Sequence, residues 1–348
     1  MVDVAGAPRD MGRDHGEGMR GAIASGLDAW LAVVGRQTGM TGEAYVDSFL
    51  GATEFVKAIE VFAPRLLEEV RGIAEGARQR FETMLAYQMM DEEWAYRVTL
   101  NRARRSSREA CTAVGVVHGD GTSVIGQNMD LPSHYDGTQV LLRLRPTDGA
   151  AVMAFTPAGM IGTTGINERG VGVCVNALFQ LRHRSSGLPV AFVMRGALAQ
   201  RTAGDAASLL KTVPHATGQN YLVGDGDRVE DYECSPEGAV EVPLAGAQVA
   251  HTNHVLMSAD FDPVHSDPRA DSTTVARLES VRAALTDLGA DAARDDVMLA
   301  LSAAPVCVPR GSDWMTLGSV VMELGDAPVI WTALGPPDET GYARMTFS

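Results

Sequence analysis

The run from Ala110 to Asp130 constrains this chain more than any other segment. Two apolar stretches, 112–118 and 122–128, flank Gly119-Asp120-Gly121, and Asp-Gly between apolar runs is a strong hairpin signal. In an antiparallel ladder centred on Asp120, opposed positions have numbers that sum to about 240. That register sets Cys111 opposite Met129, beside Gln127, Asn128 and Asp130. Both stretches are apolar on both faces, because Val114 and Val116 alternate with Ala113, Gly115 and Val117. A sheet of that kind must be covered on both sides.

The rest of the chain supplies the cover. Residues 1–100 read as helical, with apolar residues at three- and four-residue spacing over 21–34, 41–62 and 64–81, and a fourth, Met-rich helix over 83–96. Pro64 suits a first helical turn. Four more helices are expected at 189–200, 203–211, 272–288 and 295–303. Short apolar runs at 140–144, 151–155, 171–175, 219–223, 228–233, 239–242, 247–251, 317–324 and 328–333 read as strands. The expected fold class is α+β, a four-layer αββα sandwich. The helical 1–110 segment and the catalytic 111–348 segment are expected to form one folded unit. Between them, Arg102-Ala103-Arg104-Arg105-Ser106-Ser107-Arg108 has no apolar period and reads as a solvated linker.

Charge and cysteine usage narrow the function. A net charge of −15 repels phosphate, which disfavours nucleic acid and anionic membrane surfaces as partners. No apolar stretch is long enough to span a bilayer, and 1–20 has no signal-like apolar core. The four cysteines (111, 174, 234 and 307) are scattered without CxxC pairing. Free thiols in a reducing cytoplasm are the plain reading.

Three clusters carry candidate chemistry. A lone strand cysteine is ordinarily a small buried hydrophobe, but Cys111 starts its strand after a polar linker and faces an amide and a carboxylate. The run His251-Thr252-Asn253-His254 follows a strand-like segment; its histidines lack a partner at metal-ligand spacing, so no metal is expected. A papain-like pair of Cys111 with His251 or His254 is one arrangement. The amide of Asn253 can donate to a developing oxyanion. The glycine-rich segment 157–173 lacks the context of a phosphate loop and reads as close backbone approach to a substrate followed by a turn at 167–170. Asn176, at the end of the next strand, is placed to support the site. Trp314 and Met315, just before a strand, are placed to form a pocket wall.

Together these residues resemble the acyl-coenzyme A:6-aminopenicillanic acid acyltransferase family, the C45 group of N-terminal-nucleophile hydrolases. The resemblance rests on Cys111-Thr112, Gly126-Gln127-Asn128-Met129-Asp130, Gly159 through Gly172 with Asn176-Ala177-Leu178, His251 through His254, residues 316–324, and the early Met11-Gly12-Arg13-Asp14-His15-Gly16. It implies an αββα fold and a precursor that cuts itself between Ala110 and Cys111, freeing Cys111 as nucleophile. It also implies that Asp130 orients the new α-amine, with Asn253 as oxyanion donor and Thr112, Asn128, Asn176 and His254 as substrate-binding or supporting residues. The sequence departs from the family pattern at Ala110, often glycine, and at Ala113, often Thr or Ser; a C-terminal arginine of some members has no counterpart beside Thr316.

The leading expectation is hydrolysis of the amide of a small N-acylated amine or amino acid through an acyl–Cys111 thioester. Acyl transfer from a thioester donor, acyl-coenzyme A or a carrier protein, is the first alternative. A papain-like peptidase or an inactive binding protein is the second. No cofactor is expected beyond acyl-coenzyme A as a co-substrate. The expected partners are a small-molecule amide or thioester and the two processed chains held to each other, with homo-oligomers as a further form.

Overall fold

The structure is a computed structural model and describes residues 1–101, 111–262, 269 and 272–347. The 102–108 linker and the junction residue Ala110 lie outside the described residues. The chain opens with a strand, β1 (Val2–Gly6), then α1 (Pro8–Gly18), α2 (Arg20–Thr38), α3 (Gly42–Gly51), α4 (Phe55–Phe62), α5 (Pro64–Ala77), α6 (Phe81–Tyr87) and α7 (Met90–Asn101). Strands β2 (Thr112–Val117), β3 (Ser123–Pro132), β4 (Gln139–Pro146), β5 (Val152–Pro157), β6 (Thr164–Asn167) and β7 (Gly172–Ala177) follow, then α8 (Val190–Leu198) and α9 (Ala203–Thr212). Next come β8 (Gln219–Gly224), β9 (Val229–Ser235), β10 (Gly238–Val242), β11 (Gln248–His251), α10 (Thr274–Leu285) and α11 (Arg294–Ser302). The C-terminal part holds β12 (Trp314–Leu324), β13 (Val329–Ala333), α12 (Pro337–Thr340) and β14 (Ala343–Thr346).

The strands form two sheets, one in the order β1-β4-β5-β6-β7-β8-β9-β10 and one in the order β11-β2-β3-β12-β13-β14. The β2–β3 hairpin has the expected register, with Thr112 opposite Asn128 and Ala113 opposite Gln127. Its two faces are both covered. Val114, Val116 and Val124 pack with Leu278, Val281 and Leu285 of α10 and Val297 and Leu301 of α11. Ala113 and Ile125 turn inward to the core shared with the other sheet, and Gln127 Nε2 bonds across to Asn176 Oδ1 at 3.1 Å. Helices α8 and α9 cover the outer face of the eight-stranded sheet. The layers are therefore helix, sheet, sheet, helix. No helix among the described residues is long and apolar enough to cross a membrane.

The N-terminal hundred residues differ from the all-helical expectation. β1 joins the eight-stranded sheet as a parallel edge strand on β4, Val2 opposite Leu142. Behind it, α1 lies against α5 with their backbones in contact: a Cβ on Gly12 would stand 2.0 Å from Glu69 O, and one on Gly72 would stand 2.0 Å from Arg9 O. The expected helix over 41–62 breaks after Gly51 because Glu54 N donates to Ser185 O at 2.6 Å, a bond no continuous helix could offer. The expected helix over 64–81 stops at Ala77, capped by left-handed Arg78. The Met-rich helix is two, α6 and α7. Gln88 between them bonds to the glycine-rich loop, its Nε2 to Gly159 O at 2.8 Å and its Oε1 from Ile161 N at 2.9 Å.

Candidate active site

Cys111 immediately precedes β2, and the hairpin register delivers its side chain to Met129 and Asp130. Asp130 N donates to Sγ at 3.4 Å; Sγ also lies 3.7 Å from Asp130 O and 3.9 Å from Met129 Sδ. The thiol borders a cavity of about 50 Å³ whose wall is largely apolar, including Met90, Trp94, Met129, Met160, Met194 and Trp314. The polar groups in that wall include Cys111, Asp130, Asn253 and Asp91. Burial pushes the thiol far up, and the charge of Asp130 adds to this; the Asp130 N–H and Arg277 oppose it. A thiol held that way is not a nucleophile until a base takes its proton.

Asp130 is fully buried, and among the described residues neither carboxylate oxygen has a partner at full hydrogen-bond geometry. Loss of water raises its pKa to about 7, while Arg277 and the neighbouring Thr316 hold it down in part. Asn253 is fixed on every side. Its N–H donates to Thr274 Oγ1 at 3.0 Å, and its carbonyl accepts from Gln180 Nε2 at 2.7 Å. Its Oδ1 accepts from Arg277 Nη2 at 3.1 Å, which fixes the amide orientation. One Nδ2 hydrogen goes to Ala177 O at 3.1 Å; an amide nitrogen carries two, and Asn253 stands in the cavity wall.

Arg277 ties the start of β2 to the Asn253 amide and was not anticipated from the sequence. It is completely buried in α10. Its Nη1 donates to Cys111 O and to Thr112 Oγ1 (2.9 Å), and its Nε to Thr273 Oγ1 at 3.1 Å. The signal was present: Thr274, Leu278, Val281 and Leu285 form the buried stripe of α10 at helical spacing, and Arg277 falls within it.

The other anticipated residues support this arrangement without lining the cavity. Thr112 receives the Arg277 bond. Asn128 turns towards α11, its Nδ2 donating to Leu301 O (2.8 Å) and Val306 O (3.2 Å). Asn176 Nδ2 donates to His251 O at 3.0 Å, anchoring the start of the Asn253 loop. His254 Nδ1 meets Thr274 Oγ1 at 2.9 Å. The papain-like pair does not form, because the hydrogen-bond partners of the thiol are Met129 and Asp130. His251 Nε2 instead meets Glu233 Oε1 at 3.0 Å. Burial works against the imidazolium, but Glu233 and Asp231 prevail and raise the His251 pKa. Glu233 also accepts the N–H groups of Leu256, Met257 (2.9 Å) and Ser258 (2.6 Å), clamping the chain just after Asn253. Burial pushes the Glu233 carboxyl up, yet the His251 bond and charge and these amides hold it below the ordinary range. Among the described residues, no group of three or more His, Cys, Asp or Glu side chains is placed to hold a metal ion.

A family model described as acyl-coenzyme A:6-aminopenicillanic acid acyl-transferase matches residues 117–293, just over half of the chain. Among solved structures, a Caenorhabditis elegans N-acylethanolamine-hydrolyzing acid amidase ortholog is 18% identical, over 61% of this chain and 92% of that one, with a TM-score of 0.45. A mutant of conjugated bile acid hydrolase from Clostridium perfringens is 13% identical over 68% of this chain and 92% of that one, TM-score 0.46. Penicillin V acylase from Agrobacterium tumefaciens is 14% identical over 68% and 86%, TM-score 0.38.

Proposed function

The chain belongs to the acyl-coenzyme A:6-aminopenicillanic acid acyl-transferase family, and from that premise we propose that it is a self-processing cysteine amide hydrolase acting on small N-acylated amines or amino acids. The observation that carries this reading is the sharing of one small cavity by Cys111, Asp130 and Asn253, with Arg277 bonded to both Cys111 O and Asn253 Oδ1.

In the precursor, Sγ attacks the Ala110 carbonyl carbon. The C–N bond to Cys111 breaks and a thioester forms, with the proton passing from sulfur to the departing nitrogen. Water then hydrolyses the thioester, leaving an Ala110 carboxylate and a free Cys111 α-amine. An α-amine titrates near 7.7–8.0, roughly at working pH, and so can take the thiol proton in each turnover. The oxygens of Asp130 suit a hydrogen bond from the resulting ammonium. Sγ attacks the substrate carbonyl, and the oxyanion accepts from the second Nδ2 hydrogen of Asn253. The C–N bond breaks, the leaving amine takes the proton from the ammonium, and water clears the acyl–Cys111 thioester.

Acyl transfer shares every step up to that thioester, and the family's name favours it as the second reading: an acyl-coenzyme A would load Cys111 and an amine would unload it. Four unpaired cysteines support a reducing, cytoplasmic setting.

Intact mass under denaturing conditions tests the proposal. Two chains meeting at 110/111 are expected for the native sequence. One chain without hydrolytic activity is expected for Cys111→Ala, since the substitution removes the nucleophile of both reactions. If Cys111→Ala still splits at that bond or still hydrolyses amides, the mechanism is wrong. Adding amine acceptors to an acyl thioester assay separates transfer from hydrolysis.

A further inference from the structure

One turn of the Cys111 cavity wall is held by side chains from three separate parts of the chain. Met160, Gly162 and Thr163 line the cavity. Gly159 and Gly162 take φ values of +91° and +148°, a backbone that glycine alone adopts readily, and Met160 N closes onto Pro157 O at 3.1 Å. A turn of that shape leaves the polar groups of Gly159 and Ile161 without helix or ladder partners. His15 of α1 accepts from Gly159 N at 3.1 Å through Nε2. Gln88, between α6 and α7, donates to Gly159 O at 2.8 Å and accepts from Ile161 N at 2.9 Å. Arg195 of α8 donates to Ile161 O, and Glu69 of α5 holds its fork, with Nη1–Oε1 and Nη2–Oε2 both at 2.9 Å.

His15 is buried, and its ring has a defined state. A backbone N–H can only donate, so Nε2 accepts and the ring proton sits on Nδ1. Burial, with the charge of Arg195, lowers the His15 pKa to about 4, so the ring stays an acceptor at neutral pH. Nδ1 has no hydrogen-bond partner among the described residues, and the ring's polarity is spent on Gly159. We propose, building on the hydrolase reading, that His15 and Gln88 are positioning residues that hold the 159–163 turn as a fixed wall against the acyl group, and so set how long an acyl chain the enzyme accepts. The acyl group is the part concerned because it stays bonded to Sγ while the amine leaves. A wall whose backbone is bonded at four points rejects a chain that overlaps it, whereas a wall that yields makes room. His15, Glu69 and Gln88 lie upstream of the 110/111 junction and the turn lies downstream, so the upstream piece carries supports of the wall and is not dispensable after the cut.

The test reads kcat/KM along a series of acyl anilides, butanoyl to decanoyl, in native enzyme, His15→Leu and His15→Gln. Leucine fills the space but cannot accept a hydrogen bond, whereas the glutamine Oε1 can stand where Nε2 stands. The native enzyme should favour its best chain over one two carbons longer by about tenfold or more, the scale for surplus methylenes in a fitted pocket. His15→Leu should bring that ratio to within about threefold, and His15→Gln should restore it. A packing role alone predicts leucine to be at least as good as glutamine, and that order overturns the proposal. So does a native enzyme without chain-length preference, or an unchanged ratio in His15→Leu. Should His15→Leu fail to fold, Gln88→Met, close in volume but without the donor and acceptor, takes its place with the same expected loss. If neither folds, hydrogen exchange in the native enzyme decides: the amides of Gly159 and Ile161 should be among the slowest in the chain, and exchange as fast as in an exposed loop overturns the proposal. Hydrolysis that survives Cys111→Ala sinks the hydrolase reading itself, whereas Cys111-dependent hydrolysis with a native chain-length ratio in His15→Leu sinks only the wall.

Discussion

Arg277→Lys keeps the charge but removes the fork, and its effect can be worked out from the bonds. The guanidinium reaches Cys111 O, Thr112 Oγ1, Asn253 Oδ1 and Thr273 Oγ1, all in a fully buried setting. A lysine ammonium is a single point with three donors on a different stem, and it leaves at least two of those oxygens unmatched. At about 1–3 kcal/mol for each buried group stranded, the loss is roughly 2–6 kcal/mol, a large share of a typical net stability of about 5–15 kcal/mol. For 348 residues the melting temperature should fall by roughly 3–8 °C. The catalytic effect is separable. Without the Nη2 bond the Asn253 amide is free to turn, so kcat should drop by about 100- to 1000-fold, as when an oxyanion donor is lost. Asn253→Ala alone should cost the same, and the double variant should cost little more than either single one, because both act through one amide. The assay is steady-state kinetics on folded, processed protein, with denatured mass confirming the cut. A folded Arg277→Lys with kcat within threefold of native, or a double variant whose losses multiply, refutes the reasoning.

Asp130 and Glu233 yield two further tests. The folded pKa of Asp130 is raised from 3.8 to about 7, so the native state holds a proton that the unfolded chain releases, and stability falls as pH rises across that window. Three units correspond to about 4 kcal/mol at most. In the uncut Cys111→Ala chain, where no α-amine stands beside the carboxyl, Asp130→Asn should therefore resist urea better than the Cys111→Ala parent at pH 8, with the advantage fading towards pH 4; a constant difference between the two curves counts against this. Glu233→Gln puts an amide where three backbone N–H groups and His251 converge. At least one buried donor is stranded, at about 1–3 kcal/mol. kcat should fall by about tenfold with KM unchanged as the Asn253 loop slackens; a raised KM with native kcat would show that the clamp does not act through Asn253.

The layers and the placement of Cys111 beside Asp130 were legible because their signals are local. The Gly119-Asp120-Gly121 turn fixes the register of β2 and β3 by itself, and that register brings Cys111 to Asp130. What stayed hidden depends on distant partners. β1 is a five-residue strand whose pairing with β4 lies far along the sequence, and nothing in Val2–Gly6 announces it. The break after α3 depends on Ser185, and the gap between α6 and α7 on Gly159 and Ile161. Arg277 sat in a readable apolar stripe, but its role appears only once α10 is laid over the start of β2. Asp91 was read as part of a Met-rich helix because periodicity marks the buried face and not what that face encloses.

The parallel seam between β1 and β4 bears on what a nick at 110/111 would leave behind. β1 belongs to the piece upstream of the cut, while β4, which zips to it from Val2–Leu142 to Gly6–Pro146, belongs to the piece downstream. Severing one covalent link would thus yield a heterodimer already assembled, stitched by an edge strand. Pulling the halves apart would mean unzipping a sheet and baring its flank, so both polypeptides should travel together through any column that keeps the protein native.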